Sequence, residues 1–96
     1  MTNSNDKIEL HKTTLDEMHE LYKRKNADYD DSFSQLRKHY PNFVCMRLFE
    51  KWSRLETLMK PDYEAKVTDE KIEDTLMDIA NYAIMEIVER RVEKDV

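Results

Sequence analysis

Apolar residues recur along most of this chain at helical spacing, and period-two alternation is absent. Leu15, Met18, Leu21 and Tyr22 fall on one helical stripe, which predicts a first helix from about 14 to 26. Thr14-Leu15-Asp16-Glu17 reads as its capping box, a hydroxyl at the N-cap and a carboxylate three residues on. Residues 1–12 are polar and aperiodic, so they predict a mobile tail or a late-ordering arm ahead of one helical domain at 13–96. Asp28-Tyr29-Asp30-Asp31 then breaks the pattern and offers an N-cap to a short helix carrying Phe33 and Leu36. Tyr40-Pro41-Asn42 ends that helix, because the residue before proline disfavours the α region.

Two longer helices follow. The first is expected over 42–60, stopped by Pro61, with Cys45, Leu48, Trp52, Leu55 and Met59 as its core stripe and Phe49 widening it. Arg47, Lys51 and Arg54 lie on the flank, where their aliphatic stems can cover the edge of the core. Residues 62–67 read as a linker. Thr68 caps the last helix, and Asp69 and Glu70 complement its N-terminal dipole. In that helix Ile72, Leu76, Ile79, Ala83 and Ile87 form one row, broadened by Met77, Ala80, Ile84 and Val88. So wide an arc predicts several neighbours, either other helices of the domain or a second subunit, and hence a homo-oligomer. Glu73 and Glu56 fall inside the two apolar arcs. A carboxylate there requires a cation, a metal or several donors unless it snorkels to water.

Composition sharpens the fold class. The 96 residues include no glycine, only two prolines, and are 39% charged. Few turn formers and many good helix formers predict an all-α protein, a compact bundle of three to four helices. Without glycine there are no P-loops and no dinucleotide-binding fingerprints, since those turns need positive φ or close backbone approach. A net charge of −5 argues against binding a nucleic acid duplex through its phosphates. The single cysteine, Cys45, cannot form an intrachain disulfide, and its apolar context predicts a buried thiol. No Cys/His set has zinc spacing. No apolar run approaches the roughly 18 residues of a membrane span, and no signal peptide is evident, so the expected compartment is the cytoplasm.

Candidate chemistry concentrates on the two long helices. Arg47, Lys51 and Arg54 repeat at i, i+4, i+7 as a basic stripe. Like charges so placed repel by a few tenths of a kcal/mol unless something sits between them; phosphate can do so, and so can Glu50. Asp74 and Asp78 share a side of the last helix, with Asn81 and Tyr82 a turn further on. With Glu50 these acids can hold Mg²⁺ against a phosphorylated ligand, or they can form a solvated face. Lys25, Asp28 and Tyr29 place a cation, a carboxylate and an aromatic ring at the end of the first helix. A base can stack on Tyr29 or Tyr82, while Asn81 and Asp28 hydrogen-bond its polar edges. The simpler alternative for Lys25 and its neighbours is a helix C-terminus rich in cations.

Three segments together resemble a known family. Lys25-Asn26-Ala27-Asp28-Tyr29, the helix Arg47-Leu48-Phe49-Glu50-Lys51-Trp52-Ser53-Arg54-Leu55, and Glu73-Asp74-Thr75-Leu76-Met77-Asp78-Ile79-Ala80-Asn81-Tyr82 look like the nucleotide-modification-associated domain family of small phage and bacterial proteins. The resemblance spans roughly 20–90 and implies a helical protein of phage nucleotide metabolism. It carries functional importance onto Asp28, Tyr29, Arg47, Lys51, Arg54, Asp74, Asp78 and Tyr82. A broader similarity is to the MazG-like all-α nucleotide pyrophosphohydrolases, which use helix-borne acids and Mg²⁺. This chain departs from their paired acid motifs, with Glu50-x-x-Ser53 followed by Asp74-x-x-x-Asp78.

The resulting expectation is a phage-type cytoplasmic protein that binds a phosphorylated nucleotide in a helix-lined pocket. Sequestration is favoured slightly over hydrolysis, for instance of a cyclic nucleotide signal of antiphage defence, and it needs no cofactor. A MazG-like hydrolase with Mg²⁺ on Glu50, Asp74 and Asp78 is the alternative. A helical protein–protein interaction module is the second.

Overall fold

A computed structural model describes residues 3–29, 31–62 and 68–95, the side chains of 28, 29, 68 and 69 excepted. Four helices occupy them: α1 (Ser4–Tyr29), α2 (Ser32–His39), α3 (Phe43–Leu58) and α4 (Thr68–Lys94). The protein is all-α, as its composition predicts. The chain divides into two units, 1–32 and 33–96.

The first unit is α1. It begins at Ser4, not at the Thr14 that the apolar pattern predicts, because Asn3 caps it. The Asn3 side chain accepts the Asp6 N–H at 2.9 Å, and the Asp6 carboxylate accepts the Asn3 N–H at 3.3 Å. This is a reciprocal capping box written with Asn and Asp. Thr14 caps nothing; its hydroxyl donates to the Leu10 carbonyl at 2.8 Å, one turn back within the helix. Of the expected stripe Met18 is buried and Leu21 and Tyr22 are half-buried, while Leu15 is exposed. The helix is followed by Asp31, whose φ of 56° is left-handed. Aspartate tolerates that region better than most residues.

The second unit is built on α4. Helix α2 ends at a turn in which the Phe43 N–H donates to the Tyr40 carbonyl at 2.9 Å across Pro41, and α3 starts there. The Phe33 ring stands 5.6 Å from Phe43 and 6.2 Å from Tyr82, while further along α3 Lys51 meets Asp78. Moving forward on α3 therefore means moving backward on α4, so the two helices pack antiparallel. Helix α2 lies along the later part of α4, where Arg37 reaches Glu86 and Glu93 and Ser34 reaches Glu89.

The faces turned inward differ from those the apolar periodicity predicts. On α3 the buried residues are Phe43, Leu55 and Leu58, with Val44 and Leu48 half-buried. Cys45 is exposed rather than buried, and Phe49, Trp52 and Met59 are exposed with it. On α4 the inward row is Thr75, Ile79, Tyr82, Glu86 and Glu89, whereas Leu76, Ala83 and Ile87 face out. Thr75 is the most buried of these, and its hydroxyl donates to the Lys71 carbonyl at 2.7 Å. Glu56 and Glu73 are both exposed, because the arcs they interrupt are not the buried ones. The cap at Thr68, the dipole role of Asp69 and most of the 62–67 linker lie outside the described residues. No described helix is long and apolar enough to cross a membrane.

Candidate functional site

Helix α3 turns Lys51 toward α4, and α4 presents Asp78 to meet it at 2.9 Å, each side chain 29% exposed. Antiparallel packing fixes what lies beside this pair. One turn toward the α3 C-terminus is Arg54, and the corresponding turn of α4 carries Asp74. One turn the other way are Arg47 on α3 and Tyr82 on α4, with Asn81 beside it. At 100° per residue all of these fall on one edge of the hairpin. The basic and acidic stripes of the sequence thus become a single charged edge.

The charges on this edge are unevenly matched. Arg47 donates to Glu50 on its own helix at 2.8 Å, and its guanidinium lies 5.0 Å from the centroid of the Phe43 ring. Lys51 is held by Asp78. Arg54 and Asp74 are exposed, and neither makes an ion pair with another described residue. Tyr82 and Asn81 are half-buried, the Tyr82 ring tilted 30° from Phe33. The Arg47–Glu50 pair is solvent-accessible and of the kind that contributes about 0–1 kcal/mol, while the Lys51–Asp78 pair is half-buried.

Lys25 is exposed on α1, which belongs to the first unit. The side chains of Asp28 and Tyr29 lie outside the described residues. Glu50, Asp74 and Asp78 do not gather as a metal site: Glu50 serves Arg47, Asp78 serves Lys51, and no three acid, His or Cys side chains cluster for a metal among the described residues.

The strongest electrostatic feature was not foreseen from the sequence. Arg37 donates through Nε and a terminal nitrogen to both oxygens of Glu86, at 2.8 and 2.9 Å. It also contacts Glu93, and Arg90 donates to Glu86 at 2.8 Å. Arg37 and Glu86 are 15% and 13% exposed. The hydrogen bonds from Arg37, with a smaller contribution from Arg90, hold the Glu86 carboxyl down at about 2 against the opposing effect of burial. Glu86, and then Glu93, raise the Arg37 pKa in turn. The signal that could have found this pair is an acid on an apolar row. Glu86 lies on the row of Thr75, Ile79 and Tyr82, which is the one that is buried.

Residues 25–89 match the family described as nucleotide modification associated domain 1. The chain belongs to that family. The family region takes in α2, α3, most of α4 and every candidate residue from Lys25 to Tyr82. No curated protein and no solved structure matches the chain.

Proposed function

We propose that this protein binds a phosphorylated nucleotide along the charged edge of the α3–α4 hairpin and holds it without hydrolysing it. The observation that carries this reading is the Lys51–Asp78 pair flanked by Arg47 and Arg54, inside the region matched to a family described by its association with nucleotide modification. Three cations at successive turns suit a chain of phosphate oxygens, and Arg54 is available without breaking any described contact. A bound phosphate takes Asp78's place beside Lys51 and relieves the repulsion along the stripe. Tyr82 and Asn81 stand at the far end of the same edge, where a base can stack and hydrogen-bond. Sequestration is preferred to MazG-like hydrolysis because Glu50 and Asp78 are engaged by cations, Asp74 stands apart, and no three such acids converge among the described residues. A cyclic nucleotide of the kind used as a signal in antiphage defence is one ligand of this class, which makes a phage origin and an anti-defence role part of the proposal.

The test is a thermal-shift panel of nucleoside mono-, di- and triphosphates and cyclic nucleotides, with and without Mg²⁺, followed by chromatography of the recovered ligand. A ligand at a hundred times its Kd adds about 2.7 kcal/mol of stability. A shift with intact ligand supports sequestration. A shift with product formed replaces it with hydrolysis. Absence of any shift across the panel removes nucleotide binding and leaves an interaction module.

A further inference from the structure

The edge of the hairpin opposite the charges is apolar. On α3 it carries Phe49, Trp52 and Met59, which are 71%, 56% and 63% exposed. Antiparallel packing sets them beside Leu76 and Ile87 of α4, 46% and 48% exposed, with the small Ala80 and Ala83 between. Glu56 is the only charged side chain within the α3 part of this surface.

We infer that this edge is a self-association surface, covered in solution by the same edge of a second copy of the chain. The argument is one of area and composition. Phe49 and Trp52 each leave on the order of 100–150 Å² in water, and with Met59, Leu76 and Ile87 the patch reaches roughly 500 Å² per copy. That is toward the top of the range carried by ordinary monomers. Paired with its own copy about a two-fold axis, it removes roughly 1,000 Å², the area a specific interface should clear. Aromatic and methionine side chains with few charges are also the composition of an interface core rather than of a transient polar contact. A two-fold contact needs no second surface, because the same residues face one another from both sides. The charged edge stays outside the contact, so self-association leaves Arg47, Lys51 and Arg54 accessible.

Trp52 is the chain's single tryptophan and stands in the middle of the patch, so it reports directly on it. The experiment is sedimentation equilibrium of the full chain over a concentration series, with tryptophan emission and acrylamide quenching on the same samples. The expected mass is twice the 11.7 kDa of one chain, with emission shifted to the blue and red-shifting on dilution as the dimer dissociates. Phe49→Glu is expected to give a monomer of unchanged helical circular dichroism and readily quenched Trp52. Should that variant lose helicity, Met59→Glu, at the exposed end of α3, takes its place. A wild-type monomer overturns the proposal. If its Trp52 is shielded, the chain covers the patch with its own residues; if it is open, the patch awaits a different partner. A dimer that survives both substitutions places the interface elsewhere and overturns it equally.

Discussion

Arg37 grips both carboxylate oxygens of Glu86, and that bidentate contact helps fasten the shortest of the described helices to the longest. Planar guanidinium–carboxylate pairing fixes orientation as well as distance, and at 15% and 13% exposure little water competes for either partner. Removing Arg37 leaves a largely buried carboxylate to the exposed Arg90, which donates a single hydrogen bond to it. Arg37→Ala is therefore expected to destabilise the second unit by about 1–3 kcal/mol, or some 4–8 °C of Tm for each kcal/mol. Urea denaturation of the two proteins measures it.

The same pair sets an acid limit. Glu86 titrates at about 2 in the folded chain, against an ordinary value of 4.5. A carboxyl whose folded pKa is depressed adds stability that is complete above the unfolded pKa and disappears as pH falls toward the folded one. Wild-type stability should thus decline between about pH 5 and pH 2 more steeply than that of Glu86→Gln, which has no proton to take up there. Denaturant midpoints at half-unit pH steps compare the slopes.

Lys51 and Asp78 separate binding from structure. Their half-buried pair contributes on the order of 1 kcal/mol, so Lys51→Ala and Asp78→Asn should both melt within a few degrees of wild type. Their effects on ligand should be opposite. Lys51→Ala loses the nucleotide-induced thermal shift, whereas Asp78→Asn keeps or enlarges it because a competing carboxylate has gone. Loss of the shift in Asp78→Asn, together with loss of turnover, would instead identify that acid as a metal ligand.

The N-terminal cap is equally open to test. Asn3→Ala removes an acceptor for the Asp6 N–H, and an N-cap of this type is worth about 0.5–2 kcal/mol. Faster amide exchange confined to the first turn of α1, with unchanged exchange in α3 and α4, is the expected pattern.

The helices α2, α3 and α4 were legible in the sequence because their apolar periods, Pro41 and Pro61 mark them locally. So were the basic stripe and the acidic stripe, each on its own helix, since i, i+4 spacing fixes a shared side whatever the helix packs on; that they meet at Lys51 and Asp78 was not, because spacing within a helix says nothing of its neighbour. Which face goes inward was not legible. On α3, Cys45, Phe49 and Trp52 make as regular a stripe as Phe43, Leu55 and Leu58, and only the partner helix chooses between them. Arg37 escaped notice for a related reason: its value depends on Glu86, 49 positions away, and no local rule joins the two. The start of α1 was missed because Asn3 and Asp6 form a cap without the Ser/Thr and Glu/Gln by which such caps are recognised.

Asp31 carries a consequence for the unfolded chain. A sequence without a single glycine has a narrower denatured ensemble at every backbone joint, and less conformational entropy is surrendered when each joint is fixed. The left-handed corner at φ 56° is the described position where the opposite holds, since an L-residue with a Cβ is held there at a local steric cost. Glycine at 31 would relax the corner and at the same time widen the ensemble to be confined. The two effects oppose one another, and a side chain that suits the corner moderately well leaves the entropy of the whole chain low.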